Sequence, residues 1–143
     1  MDAMMISASA LTAERTRMNL IAGNLANANS TRTPEGGPYK RKDAMFAAMP
    51  VENSFSLMLD KKSQPDAKGV EVMEIMEDRN PPRLQYEPGH PDANAQGYVA
   101  YPNVNVVEEM TDMMTATRVY EANVTAAKAT MGMQMKTLEL LGR

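Results

Sequence analysis

The feature that most constrains this chain is a helical repeat near its end. Met110, Met113, Thr117, Tyr120, Val124, Ala127, Met131, Gln134, Leu138 and Leu141 follow one another at alternating spacings of three and four. Spacing of that kind, free of Pro, predicts one long helix over 105–141 with a mostly apolar seam. Only Gly132 weakens the run. At about 1.5 Å per residue the helix is roughly 55 Å long. Asn105 followed by Glu108 resembles a capping box, and Glu108, Glu109 and Asp112 stand where a helix dipole favours acids. A small β unit cannot cover a stripe of this length, so the helix needs another helix.

The other end of the chain supplies one. Met4, Leu11, Met18 and Leu25 recur every seven residues, and Met5, Ala8, Ile21, Ala22 and Ala28 widen the stripe. Polar Glu14, Arg15, Arg17 and Asn19 fill neighbouring positions. Residues 2–28 therefore read as a second amphipathic helix, and the two termini as an antiparallel, coiled-coil-like pair. The first helix is expected to fail along Asn27-Ala28-Asn29-Ser30-Thr31, because Asn accepts the left-handed conformation and Ser and Thr bond to nearby backbone.

Residues 34–103 are different in kind. They hold all nine prolines and five of the eight glycines. Short strands are expected at Tyr39–Phe46, Ser54–Leu59, Val70–Met76, Arg83–Tyr86 and Tyr98–Tyr101, with an exposed tip at Asp60–Lys68. The fold class is thus α+β, mainly α: long terminal helices with a small, loop-rich β unit between them. Three parts follow, at 1–33, 34–103 and 104–143.

Composition limits what holds these parts together. Aromatics are 5% of the 143 residues, Trp is absent, and Met occurs 15 times. Met adapts to irregular helix contacts, and a Met-rich core is the plain alternative to a Met-rich interface. A seam containing Thr117, Ala127 and Gln134 is weaker than a Leu/Ile zipper. Met114, Val119, Met133 and Met135 flank it and would stay exposed in a two-helix pair. Exposed apolar strips mark interaction surfaces. Helices of other copies are expected to cover them, and the termini to gain order as they do so.

Several function classes are disfavoured. The net charge of −3 does not suggest nucleic-acid binding, and Lys40-Arg41-Lys42 reads as a solvated loop. Cys is absent, so disulfides and thiolate metal sites are excluded. No stretch reaches the roughly 18–20 apolar residues that span a bilayer, so no membrane insertion is expected. The start, MDAMMISASALTAERTR, lacks the basic region of a cleavable signal. His90, in Pro-Gly-His-Pro-Asp, is the only His and reads as a turn residue rather than a base or zinc ligand. Glu108, Glu109 and Asp112 read as helix-start acids rather than catalytic carboxylates. No enzyme activity, metal or cofactor is expected.

Asn24-Leu25-Ala26-Asn27-Ala28-Asn29-Ser30-Thr31 resembles the signature that ends the first helix of flagellar rod and hook axial proteins. Arg118-Val119-Tyr120-Glu121-Ala122-Asn123-Val124 is similar to that family's pattern in the last helix. The runs 33–42, 89–93 and 97–110 extend the likeness to essentially the whole chain. The motif positions are Asn24, Leu25, Ala26, Asn27, Asn29, Thr31, Tyr120, Glu121, Ala122 and Asn123. The resemblance implies a subunit that polymerises helically into a hollow, torque-transmitting shaft through which export substrates pass. It also implies export by the flagellar type III apparatus without cleavage, and a basal-body location spanning the periplasm. Implied partners are further copies, other rod proteins, the rod–ring adaptor protein, the basal-body rings and the export apparatus. The helix seams would be the subunit interfaces: Met4, Leu11, Met18, Ile21 and Leu25 in the first helix, and Met110 to Leu141 in the last. The competing readings are a different axial protein, a soluble coiled-coil adaptor, and a small enzyme built around His90.

Overall fold

The computed structural model describes residues 2–50 and 68–142. Helix α1 spans Asp2–Ala26. Strands β1 (Lys42–Pro50), β2 (Lys68–Glu77), β3 (Arg83–Tyr86) and β4 (Tyr98–Tyr101) follow, and helix α2 spans Val106–Leu141. The fold is α+β and mainly α. The strands do not form one unit: β1–β2 and β3–β4 are separate antiparallel two-stranded sheets.

Local chemistry sets the helix ends. The Asn105 side chain accepts the Val107 N–H at 3.1 Å, while its carbonyl takes the Glu109 N–H at 3.0 Å. The cap is therefore Asn105 acting on Val107, and the reciprocal bond to Glu108 that would complete a capping box is not made among the described residues. Helix α1 stops two residues earlier than its pattern suggests. Asn27 Nδ2 donates to the Gly23 carbonyl at 2.9 Å, and Ser30 Oγ donates to Asn27 Oδ1 at 3.1 Å. These bonds end the helix without a left-handed Asn, since every positive φ among the described residues belongs to Gly.

The β1–β2 ribbon pairs Lys42 with Glu77 at one end and Pro50 with Lys68 at the other, and a bulge falls between Met45 and Phe46. The first strand starts at Lys42 rather than Tyr39, because the stretch before it is tied elsewhere. The Tyr39 N–H donates to the Ser30 carbonyl at 3.0 Å and its hydroxyl to Asn24 at 3.0 Å. Strands β3 and β4 have the expected bounds. Gly97, at φ +84°, allows the turn into β4, and a Cβ there would meet the Tyr86 ring at 2.8 Å. The strand read at Ser54–Leu59, and the Asp60–Lys68 tip up to residue 67, lie outside the described residues.

The two helices run antiparallel. Asn24 meets Glu109 at 3.1 Å, Arg17 meets Asp112 at 4.0 Å, and the Thr117 hydroxyl lies 3.9 Å from Met18 Sδ. The ribbon packs on another side of α1: Lys42 bonds to Asn24 near the end of α1, and the Val70 N–H donates to Ser9 Oγ at 3.1 Å near its start. The core between these elements is thin. Its buried apolar members are Ala13, Ile21, Ala28, Val99, Val104 and Ala116. Small side chains let the helices approach closely but remove little apolar area from water.

Candidate assembly surface

Two features of the helix pair stand out: a buried polar node at one end and an unpartnered apolar overhang at the other.

The node joins α1, the start of β1 and the first turn of α2. Asn24 and Glu109 are each 1% exposed. Asn24 Nδ2 donates to the Lys42 carbonyl at 2.9 Å and to Glu109 Oε2 at 3.1 Å. Asn24 Oδ1 accepts the Lys42 N–H at 2.9 Å and the Tyr39 hydroxyl at 3.0 Å. Both donors and both lone pairs of this amide are used, which is what burial requires. Glu109 Oε1 takes Arg41 Nε at 2.6 Å, a charge-assisted bond. Arg41 also reaches Asp43 at 3.2 Å and Asp112 at 4.0 Å. Burial alone would pull the Arg41 pKa down, but its bonds to Glu109 and Asp43 outweigh that and raise it. Burial pushes the Tyr39 phenol up, so it stays a donor to Asn24.

Two readings from the sequence need correcting here. Arg41 is no solvated loop residue: its side chain is 26% exposed and bridges to α2. Glu109 is more than a helix-start acid: it stands in the first turn of α2 as expected and is also the buried carboxylate of the node. The sequence signal was an acid beside Met110 of the apolar seam, in the pair Glu108-Glu109, and an Asn-rich end on the other helix. Only the fold brings the two together.

The helix faces also differ from the heptad reading. In α2 the buried residues are Glu109 and Ala116, with Asp112, Met113, Tyr120, Asn123, Val124 and Ala127 half-buried. Met113, Tyr120, Val124 and Ala127 thus lie on the face toward α1. Met110 is 55% exposed, and Thr117 touches Met18 only at the rim. In α1, Ile21 is buried, Leu11, Met18 and Leu25 are half-buried, and Met4 is exposed. A straight helix drifts by about 20° per heptad relative to a strict seven-residue repeat. A repeat that meets the partner in one place therefore leaves it a few turns away. Met110 lies beside Glu109, just off the contact with α1, and Met4 is exposed near the start of α1.

The overhang follows from length. With Asn24 opposite Glu109 and Met18 opposite Thr117, α1 runs out near Met131, leaving about ten residues of α2, roughly 15 Å, beyond it. Every residue from Met131 to Gly142 is exposed. Leu138 is 65% and Leu141 79% exposed, and Met133, Met135 and Leu140 lie bare beside them.

The remaining motif residues are spread out. Thr31 donates to Asp92 Oδ2 at 2.9 Å, tying the end of α1 to the turn that carries His90. In that turn His90 Nδ1 accepts the Asp92 N–H at 3.1 Å and the ring packs edge-on to Tyr101. Ala26, Asn29, Glu121 and Ala122 are exposed.

Comparison with known proteins supplies the decisive observation. The chain is 47% identical over 142 residues to the flagellar basal-body rod protein FlgC of Bacillus subtilis, covering 94% of this chain and 93% of that one. It belongs to the FlgC family of flagellar basal-body rod proteins. FlgC of Borreliella burgdorferi is 40% identical over 143 residues, covering 95% and 93% of the two chains. FlgC of Salmonella typhimurium is 41% identical over 135 residues, covering 94% and 92%. Residues 4–32 match the family described as flagella basal body rod protein, and residues 95–140 match the flagellar basal body rod FlgEFG protein C-terminal family. These two matches fall on α1 with its Asn-rich end and on β4 with α2. The first segment carries Asn24, the second carries Glu109 and most of the overhang, and Tyr39, Arg41 and Lys42 of the node lie between them.

Proposed function

We propose that this chain is a structural subunit of the flagellar basal-body rod and that it assembles through the exposed faces of its terminal helices. The observation that carries this reading is the overhang. About ten residues of α2 continue past the end of α1 with Met131, Leu138 and Leu141 bare. Within one chain nothing among the described residues covers them, and a helix from a neighbouring subunit extends the same packing without a new kind of contact. Repeated head-to-tail with a rotation that does not close, such a contact generates a helical polymer.

The finer picture is part of the same proposal. The parts 1–33 and 104–143 form the coiled-coil-like inner wall of a hollow shaft, and 34–103 faces outward. The seam residues Met4, Leu11, Met18, Ile21, Leu25, Met110, Met113, Thr117, Tyr120, Val124, Ala127, Met131, Leu138 and Leu141 divide between the intrachain pair and contacts with neighbours. Partners are further copies, other rod proteins, the rod–ring adaptor protein and the basal-body rings. The chain reaches the periplasm through the flagellar type III apparatus, uncleaved.

Met113→Asp and Val124→Asp test the face of α2 that packs on α1 and so holds the exposed faces in place. Each places an unpaired charge between helices. We expect non-motile cells and no variant subunit in purified basal bodies. Normal motility would remove this face from the interface, and a discrete soluble dimer of the native chain in sedimentation would favour an adaptor.

A further inference from the structure

The rotational setting of α2 is odd. The sequence repeat would turn the helix so that Met110 faced α1. The structure instead buries Glu109 and Ala116, one residue round, and leaves Met110 and Met114 more than half exposed. Met113, Tyr120 and Ala127 belong to both stripes, so the contact line moves by only part of the roughly 100° between successive residues, yet enough to leave Met110 and Met114 outside.

We propose that Glu109, clamped by Arg41 and Asn24, fixes the rotational setting of α2 and holds Met110 and Met114 outside the helix pair. Turning Met110 inward would draw Glu109 off Arg41 Nε, now at 2.6 Å, and off Asn24 Nδ2, now at 3.1 Å. Asn24 would then keep a buried donor without a partner, the costliest state of a hydrogen-bonding group. A buried polar residue that selects a register at some expense of stability is the best-attested role for such groups in paired helices.

A second observation indicates that the setting is not chosen by the middle of the interface. Glu14 lies on the α1 face that carries Arg17, Met18 and Ile21 to α2. Its Oε2 is buried with no hydrogen-bond partner among the described residues. The matched polar contacts of the buried interface are thus gathered at the node rather than at Glu14.

The chain has no Cys, so Met110→Cys gives a single reporter on a clean background. In that background we introduce Glu109→Leu and measure the maleimide labelling rate of the free subunit, with Met135→Cys as the overhang control. The expected result is an unchanged helical spectrum, labelling at position 110 slowed at least tenfold, and labelling at position 135 unchanged. Loosening of the fold would speed labelling at 110, so a merely structural role moves the readout the other way. An unchanged or faster rate at 110 overturns the proposal. If Glu109→Leu does not fold, Arg41→Met decides, since it removes the charged half of the clamp without altering either helix; an unchanged rate at 110 again overturns it.

The consequence for assembly rests on the rod-subunit reading. Glu109→Leu in cells should abolish motility while the subunit remains folded. Slowed labelling with normal motility would leave the register role standing and remove the Met110–Met114 stripe from the assembly surface.

Discussion

At its Asn24–Glu109 end the helix pair is closed by polar atoms that are all matched. At its Met131–Leu141 end it is open, apolar and unpartnered. The two ends solve the same difficulty, a long helix with too little to pack against, in opposite ways. The closed end uses directional bonds, which fix geometry but tolerate little change. The open end uses bare Met and Leu, which specify little within one chain and leave apolar area for a neighbour. A subunit of a polymer needs both: a joint that presents each helix at a set angle, and a surface left unfinished.

Substitutions should separate the ends, and the largest effect on the free subunit belongs to the closed one. Asn24→Ala removes four hydrogen bonds and strands Glu109 Oε2 and the Lys42 backbone. A loss of about 2–3 kcal/mol is expected by urea unfolding, and a loss under about 0.5 kcal/mol would mean the node is not what closes this end. In mid-length, Glu14→Leu should stabilise the free subunit by about 1 kcal/mol, because an unpaired buried oxygen is replaced by apolar contact. Destabilisation there would assign Glu14 a partner. At the open end, Leu138→Gln with Leu141→Gln should change the free subunit by no more than about 0.5 kcal/mol, since both side chains are already in water. The same double variant should lower or abolish motility, and that contrast is the sharpest test of the two ends.

The smallest effect is acid-linked and again belongs near the closed end. Asp78 accepts the Asn80 N–H at 2.9 Å and Asn103 Nδ2 at 3.3 Å. The backbone bond from Asn80, chiefly, holds its carboxyl below the ordinary value of 3.8. A group depressed in the folded state contributes stability that is fully present above its unfolded pKa and is lost as pH falls through the folded one. Asp78→Asn should therefore lower stability slightly near neutrality, with the loss fading below about pH 4, so that the profile flattens there. An equal change at both pH values would mean that the carboxylate charge is not what those bonds recognise.

The sequence by itself determined more at the helices than between them. The three-four spacing from Met110 to Leu141, with Asn105 read as the cap before it, bounds α2 to within a residue, because a period of that length has one structural meaning. Asn105, the Asn-rich run after Ala26, and strands β3 and β4 were legible for the same reason: capping and alternation are local. The motif runs pointed to the axial-protein family, within which the chain proved to be a FlgC-type rod protein. Tertiary structure decided what depends on distant residues meeting. It divided the strands into two sheets, drew Tyr39 and Arg41 out of the expected strand and loop, and buried Glu109 against Asn24, 85 positions away in the chain. It also set which stripe of α2 faces α1. A heptad states that a helix has a side to hide. It does not fix the azimuth, because a straight helix drifts off a seven-residue repeat and a single matched buried polar group outweighs a Met or two at the rim.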